Sequence, residues 1–467
     1  MGACGPCVAG DRGSSAGRLR DSWSNWHNRP DRRASTFICP AQTAMTVDRR
    51  KVVVFGAAFV LRLLLICLFP ALPDLLTGRV EVSTPVNSFK RLQEGLYLYI
   101  RNVSPYDGGV FHQAPLLLPV FALFSDVKAN PFPTAIFYFL VDLVNAHALA
   151  TISESGQSIQ SRLHSAIRKH IRWDGVSTAA WYLFNPFTIA TCLARSTSVF
   201  TTTGILFAIS NAVDGNSFNA MLALAFASYL SLYPALLFVP LILLCYDQRV
   251  QGTGSQSNII LFILQHGGIL VASVSGLLGL SFLITGSFWE YVSATYGFHL
   301  LVPDLTPNVG LWWYFFIEMF DSFRGFFLGV FWLHLASYVG GMTARLRRQP
   351  LFVITSLLGV FAIFKPYPSI SDASLYFAVL PLYRHLFPLM RYTFFAISAI
   401  LYSSLLGPAF YHLWIYAGSG NANFFYAITL VWSLGLSILL ADSIFAALRD
   451  EWEQDHPEAK GQEVKQV

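Results

Sequence analysis

Asp48-Arg49-Arg50-Lys51 leads directly into residues 52–72, VVVFGAAFVLRLLLICLFPAL, a run whose one charge is Arg62. About 20 consecutive apolar residues cross the roughly 30 Å hydrocarbon layer of a bilayer. Basic residues on one flank hold that end in the cytosol. The run therefore reads as a signal-anchor helix. No small-residue cleavage site follows it, so it is expected to stay in the mature chain.

Working outward from this segment, apolar stretches recur to the end of the chain. They cover 114–124, 131–151, 175–195, 197–213, 218–246, 258–285, 311–341, 351–364, 374–389, 393–416 and 424–448. Several are short, and Pro234 and Pro240 interrupt 218–246. The fold class expected is all-α: a polytopic integral membrane protein with ten to twelve transmembrane or re-entrant helices. Composition agrees. Of 467 residues, 54% are hydrophobic and 12% charged, and mean hydropathy is +0.51. Soluble domains carry roughly 25% charge, and disordered chains are polar and charge-rich.

The charge is unevenly placed. The first 50 residues hold eight Arg and four Asp, which supplies most of the net +5. Residues 1–44 are polar and aperiodic, and Met45 has the setting of a start codon. We expect 1–44 to be a disordered extension or a gene-model artefact; Asp11, Asp21 and Asp31 count against a transit peptide. The membrane domain is then 45–448, and 449–467 is an acidic cytosolic tail. A nucleic-acid partner would need a basic stripe on a folded domain, and the sequence has none. Cys4-Gly5-Pro6-Cys7 spells a redox motif but lacks the strand and helix that would activate it. Cys67, Cys192 and Cys245 lie in apolar runs and read as small buried hydrophobes.

Short loops rich in Lys and Arg belong to the cytosol. These are 162–172, the group Arg345, Arg347 and Arg348, and Arg384 with Arg391. Stretch 161–172 reads equally as a surface helix or a solvated loop. The opposite, lumenal face then receives 73–113, 286–310, 365–373 and 417–423. Those loops hold Pro, Asn, Asp and aromatics, the residues of a binding surface rather than a bare connection. Charges within the spans, Arg62, Asp142, Glu318, Asp321 and Arg324, are expensive facing lipid. Asp321 and Arg324 are spaced to pair on one helix face. Helical glue is the plainer reading of the group, and a proton or ion path is the other.

Several blocks are specific. They are Gly78-Arg79-Val80-Glu81-Val82-Ser83-Thr84-Pro85, Val110-Phe111-His112-Gln113, Phe184-Asn185-Pro186-Phe187, Ala194-Arg195-Ser196-Thr197, and Pro303-Asp304-Leu305-Thr306-Pro307-Asn308. Near the end come Phe364-Lys365-Pro366-Tyr367 and His412-Leu413-Trp414-Ile415-Tyr416-Ala417-Gly418-Ser419-Gly420-Asn421-Ala422-Asn423. In collinear order from about residue 50 to about 450, this set resembles the glycosylphosphatidylinositol (GPI) transamidase subunit U family.

The resemblance implies a multi-pass protein of the endoplasmic-reticulum membrane. Its scaffold would be like that of the GT-C glycosyltransferases that add mannose during GPI synthesis. It implies partners: sister transamidase subunits, including a Cys-protease-like catalytic one, and the GPI glycolipid. It implies no cofactor. In the mannosyltransferases an acidic pair lies in the first lumenal loop; here 82–88 has no Asp-x-Asp, and Glu81 is the nearby carboxylate. Glycosyl transfer needs a placed carboxylate to take the acceptor proton. The expectation is a non-catalytic subunit that helps recognise or present GPI. The alternative is an active dolichol-phosphate-mannose-dependent GPI mannosyltransferase. A transporter would show paired broken helices in an internal repeat, and no repeat is evident.

Catalytic and metal-binding residues are expected to be absent from this chain. The lumenal loops lack Cys, no Gly-x-Ser-x-Gly elbow occurs, and the eleven His are scattered. Candidates for GPI or partner contact are Asn421 and Asn423, with Trp414, Tyr416 and His412 before them. Asp304, Asn308, Lys365 and Tyr367 join them from the middle loops. Tyr106, His112, Glu81, Lys90 and Arg91 come from the first. Each has a plainer reading. Asn421 and Asn308 suit helix caps, Trp414 and Tyr416 an interfacial aromatic belt, Lys365 a snorkelling lysine, and the first-loop group loop stability. Asn102-Val103-Ser104 is a glycosylation sequon, with Pro105 after it.

Overall fold

The computed structural model of the chain describes residues 48–124, 131–254, 258–286 and 288–459. The expected extension 1–44 and its Cys pair lie outside them, as do residues 460–467. Among the described residues the architecture is all-helical, with one isolated bridge, Gln160 to Ser165, and no strand.

Among the described residues, seven helices are long and apolar enough to cross a membrane. They are Arg49–Leu68, Phe132–Glu154, Tyr233–Thr253, Ile259–Ile284, Asp321–Arg345, Thr393–Ile415 and Ala422–Asp455. Ser198–Val213, Ser217–Leu230 and Pro350–Phe364 are apolar but shorter. The protein is a polytopic membrane protein, with fewer full-length spans than the apolar runs imply because several runs are broken. Run 175–195 divides into Gly175–Leu183 and Pro186–Leu193. Pro186 has no N–H to continue the ladder, and Asn185 caps the new start by accepting from the Phe187 amide at 2.9 Å. Run 311–341 divides into Trp312–Ile317 and Asp321–Arg345. Run 374–389 ends as the 3-10 segment Leu380–Leu389, which contains Pro381 and Pro388. Stretch 161–172 is a loop in which His164 and Ala166 are buried.

The core is a continuous apolar cluster around Pro350–Phe364, whose residues from Pro350 to Ile363 are all buried. Helices pack closely where one residue is small, a feature of membrane helix pairs. A Cβ on Gly204 would lie 2.8 Å from the Ala227 Cβ. A Cβ on Gly435 would lie 2.9 Å from the Ile400 side chain. Arg62 and Asp142, both buried, form an ion pair at 2.8 Å, and Tyr182 donates to the other Asp142 oxygen at 3.1 Å. Arg324 does not take Asp321 as its partner. It donates to the Val302 carbonyl at 2.6 Å and sits over the Phe316 ring, while Asp321 is exposed. Cys192 and Cys245 are buried as expected, but Cys67 is exposed.

The basic loops meet at one end of the bundle. Arg162 and Arg347 both pair with Asp247, at 3.0 Å each. Arg168 pairs with Asp450 at 3.0 Å and Glu453 at 2.6 Å. Arg345 and Gln349 hold Glu451. The last helix runs past Leu448 to Asp455, and Asp450, Glu451 and Glu453 in that extension are buried. At the other end the loops 73–113, 288–310 and 365–373 meet, and 417–423 joins them through Asn423 and the helix Trp312–Ile317.

Candidate functional site

In the first of these loops, Arg79 grips Glu81 through two hydrogen bonds, at 3.1 and 2.9 Å. The same guanidinium lies over the Tyr411 ring, and the Glu81 carbonyl accepts from the Ile370 amide at 2.9 Å. Glu81 thus has both carboxylate oxygens on one cation. Asn87, buried, is a hub. Its oxygen accepts from the Thr84 amide at 2.7 Å and its amide donates to Ser369 at 3.2 Å. Its carbonyl receives the Thr197 amide at 3.1 Å.

Asp304 ties three loops together. Its carboxylate pairs with Arg91 at 3.0 Å and accepts from the amide and hydroxyl of Thr306. Its carbonyl accepts from the Tyr367 hydroxyl at 2.9 Å. Burial pushes the Asp304 carboxyl up, but the Thr306 hydrogen bonds and the Arg91 charge outweigh it and hold the group below its ordinary value. Asn308 is a staple within this turn. Its oxygen accepts from the Gly310 amide at 2.7 Å, and its amide donates to the Thr306 carbonyl at 3.2 Å. It does not cap the following helix, which opens at Trp312 after Leu311.

Tyr367 is buried and stacks on Phe298, and His112 stacks 3.7 Å from the same ring. Both His112 nitrogens face carbonyls, of Ala294 at 2.9 Å and Gly109 at 3.1 Å. Burial lowers its pKa all the same. Tyr106 is buried and donates to the Gln113 carbonyl at 2.9 Å. Lys365 pairs with Asp372 at 2.5 Å and lies over the Tyr233 ring. It neither snorkels nor stands free for a phosphate.

The last loop is the open part of the cluster. Asn421 caps the final helix, accepting from the Phe424 amide at 3.2 Å. Asn423 accepts from the Tyr314 hydroxyl. Both Asn residues are exposed, as are His412 and Tyr416, whose rings lie 5.5 Å apart. Trp414 stacks on the buried Trp313 at 6.3 Å, and Trp313 meets Phe425 and Tyr426. At Phe425 this aromatic layer adjoins an apolar cavity of about 360 Å³. Ser403, Gly407 and Pro408 line it from one helix, Phe425 and Trp432 from the next, and Arg79 with Glu81 close one end.

A family model described as GPI transamidase subunit PIG-U matches residues 56–432. The chain belongs to that family. The human GPI-anchor transamidase component PIGU is 38% identical over 399 residues, 83% of this chain and 91% of the human one. The GPI transamidase component GAB1 of Saccharomyces cerevisiae is 35% identical over 408 residues, 86% of this chain and 95% of the yeast one. Its Schizosaccharomyces pombe homolog is 34% identical over 396 residues, 84% and 93% of the two chains.

The PIG-U match begins inside the first helix and ends inside the last, so it takes in all four loops of the cluster. Sequence reasoning selected most of the loop residues but not the joints between them. Asn87, Ser369, Trp313 and Tyr314 were not singled out. Thr84-x-x-Asn87 carries the local spacing of a side-chain turn and was the available signal for Asn87. Among the described residues no group of three His, Cys, Asp or Glu is placed to hold a metal ion.

Proposed function

We propose that this chain is a non-catalytic subunit of GPI transamidase in the endoplasmic-reticulum membrane. In this reading it holds GPI at the lumenal face while a Cys-protease-like sister subunit does the chemistry. Relatives named as transamidase components support the assignment to the complex. The observation that carries the lipid-holding role is the 360 Å³ apolar cavity lined by Phe425 and Trp432 of the helix that the exposed Asn421 caps. An acyl chain enters such a cavity by the hydrophobic effect. The amides of Asn421 and Asn423 and the Tyr416 and Trp414 rings suit a phosphorylated glycan. A mannosyltransferase role has no support, since Glu81 is held by Arg79 and is not free to take a sugar proton.

The test compares Asn421→Ala with Asn423→Ala, as a double variant, and Gly407→Leu, which fills the cavity. Surface GPI-anchored reporter should fall about tenfold in the double variant, the scale of two lost polar contacts. The co-purified complex should stay intact, since a lost N-cap costs only about 1 kcal/mol. Full anchoring by both variants, with the complex intact, would sink the proposal.

A further inference from the structure

A second and larger concavity lies apart from the cavity just described. It is a groove of about 1470 Å³ between the end of Arg49–Leu68, the helix Phe89–Ile100 and the start of Phe132–Glu154. Ordinary small-molecule pockets measure roughly 300–1,000 Å³, so its size suits a larger occupant. Its lining is mostly apolar, with Ile66, Leu96, Phe111 and Phe139 among the residues. Phe89–Ile100 is amphipathic. Leu92 and Leu96 are buried, while Tyr97 and Ile100 are exposed, as are Leu68 and Phe69 at the end of the first helix. Exposed apolar residues around an apolar groove at the end of a membrane helix open it sideways to lipid.

Its polar groups are balanced and few. Lys90 and Glu94, one turn apart on Phe89–Ile100, are both exposed and line the groove. Neither has an ion-pair partner among the described residues. Arg195 lines it too, is 7% exposed, and has a buried Nε with no hydrogen-bond partner. Its other end reaches Asp74 at 3.0 Å. Arg195 is held in the left-handed region, φ 56°, a conformation that disfavours an ordinary side chain. The turn is pinned there by Thr77, which donates to the Ala194 carbonyl at 3.1 Å, and by the Thr197 amide on Asn87. The fold thus holds a buried guanidinium in the groove wall, over the Phe89 ring, at a conformational cost.

We propose that this groove binds a membrane glycerophospholipid with a zwitterionic head, its phosphate on Lys90 and Arg195 and its ammonium on Glu94 and Asp74. Two cations and two carboxylates among the lining residues match a head that carries one charge of each sign. The apolar walls take the acyl chains. This site is additional to the one proposed for GPI.

The experiment uses the full chain purified in detergent micelles doped with phosphatidylethanolamine that bears a photoreactive acyl chain. Labelling should map to 66–73, 89–100 and 131–139. Lys90→Ala, at an exposed position, should cut labelling about tenfold, the scale of one charge-assisted hydrogen bond. Ala135→Trp, which fills the groove, should abolish it. Unlabelled phosphatidylethanolamine should compete better than phosphatidylglycerol. Labelling of those segments that both variants leave unchanged would overturn the proposal. So would competition by phosphatidylglycerol alone, or by GPI alone. None of these readouts depends on anchoring of a reporter, so failure here leaves the GPI reading separately testable.

Discussion

His299 lies inside the loop cluster, with its Nδ1 3.4 Å from the Tyr233 hydroxyl. Burial first, then the charges of Lys365 and His112, push its pKa from 6.5 down to about 3. The unfolded imidazole keeps a value near 6.5. As pH falls below that value, the unfolded chain takes up a proton that the folded chain refuses. Stability from this group is therefore present at neutral pH and lost on acidification, by about 2 kcal/mol between pH 7 and 5. Thermal melting of the purified chain at both pH values checks this. His299→Gln should shrink the difference, and an unchanged difference would remove His299 as its source. At this scale the sequence was legible where a residue acts on near neighbours. Asn421 was read as a cap from its place before an apolar run, and it is one. The Asn423–Tyr314 and Arg91–Asp304 contacts join residues more than 100 positions apart. No local pattern reports such a pair, because helix packing creates it.

Among elements, the pair Thr393–Ile415 and Ala422–Asp455 depends on Gly435. A side chain there meets not only Ile400 Cγ1 at 2.9 Å but the Ile400 amide nitrogen at 3.1 Å and the Ala396 carbonyl at 3.2 Å. Backbone atoms cannot swing aside, so the helices must separate. Gly435→Val should destabilise the protein by about 1–3 kcal/mol, the usual range for overpacking. It should also widen the cavity between these helices. Gly56→Val, with nothing within 4 Å of its Cβ, serves as the control, and equal melting of the two variants would refute the argument. Apolar runs located the helical segments in the sequence. They did not show where a run breaks, because a run of constant hydrophobicity hides a change of direction. The break at Pro186 was also read as part of one segment, 175–195, although its proline was visible. The break at 318–320 carries Glu318 but no proline or glycine, and passed as part of one span.

For the whole molecule, Lys and Arg placement divides the loops into two sets, and contacts within each set join the basic loops to one another and 73–113 to 288–310 and 365–373. The acidic end of the chain was less legible, because its carboxylates read as solvated until the basic loops were seen to cover them. Asp450, fully buried, receives both His164 and Arg168. Asp450→Ala leaves those partners facing a void and should cost about 3 kcal/mol, the low end for breaking a buried pair. Asp455→Ala, from an exposed pair with Arg348, should change melting by less than about 1 kcal/mol. Similar losses in the two would mean that the cluster holds nothing in place. The final helix also has a dimension that matters here. Its 34 residues, at 1.5 Å each, reach about 50 Å, against roughly 30 Å of hydrocarbon. With its last turns gripped by the basic loops, the helix acts as a strut of fixed length, and the distance from those loops to Asn421 at its other end is set by the residue count alone.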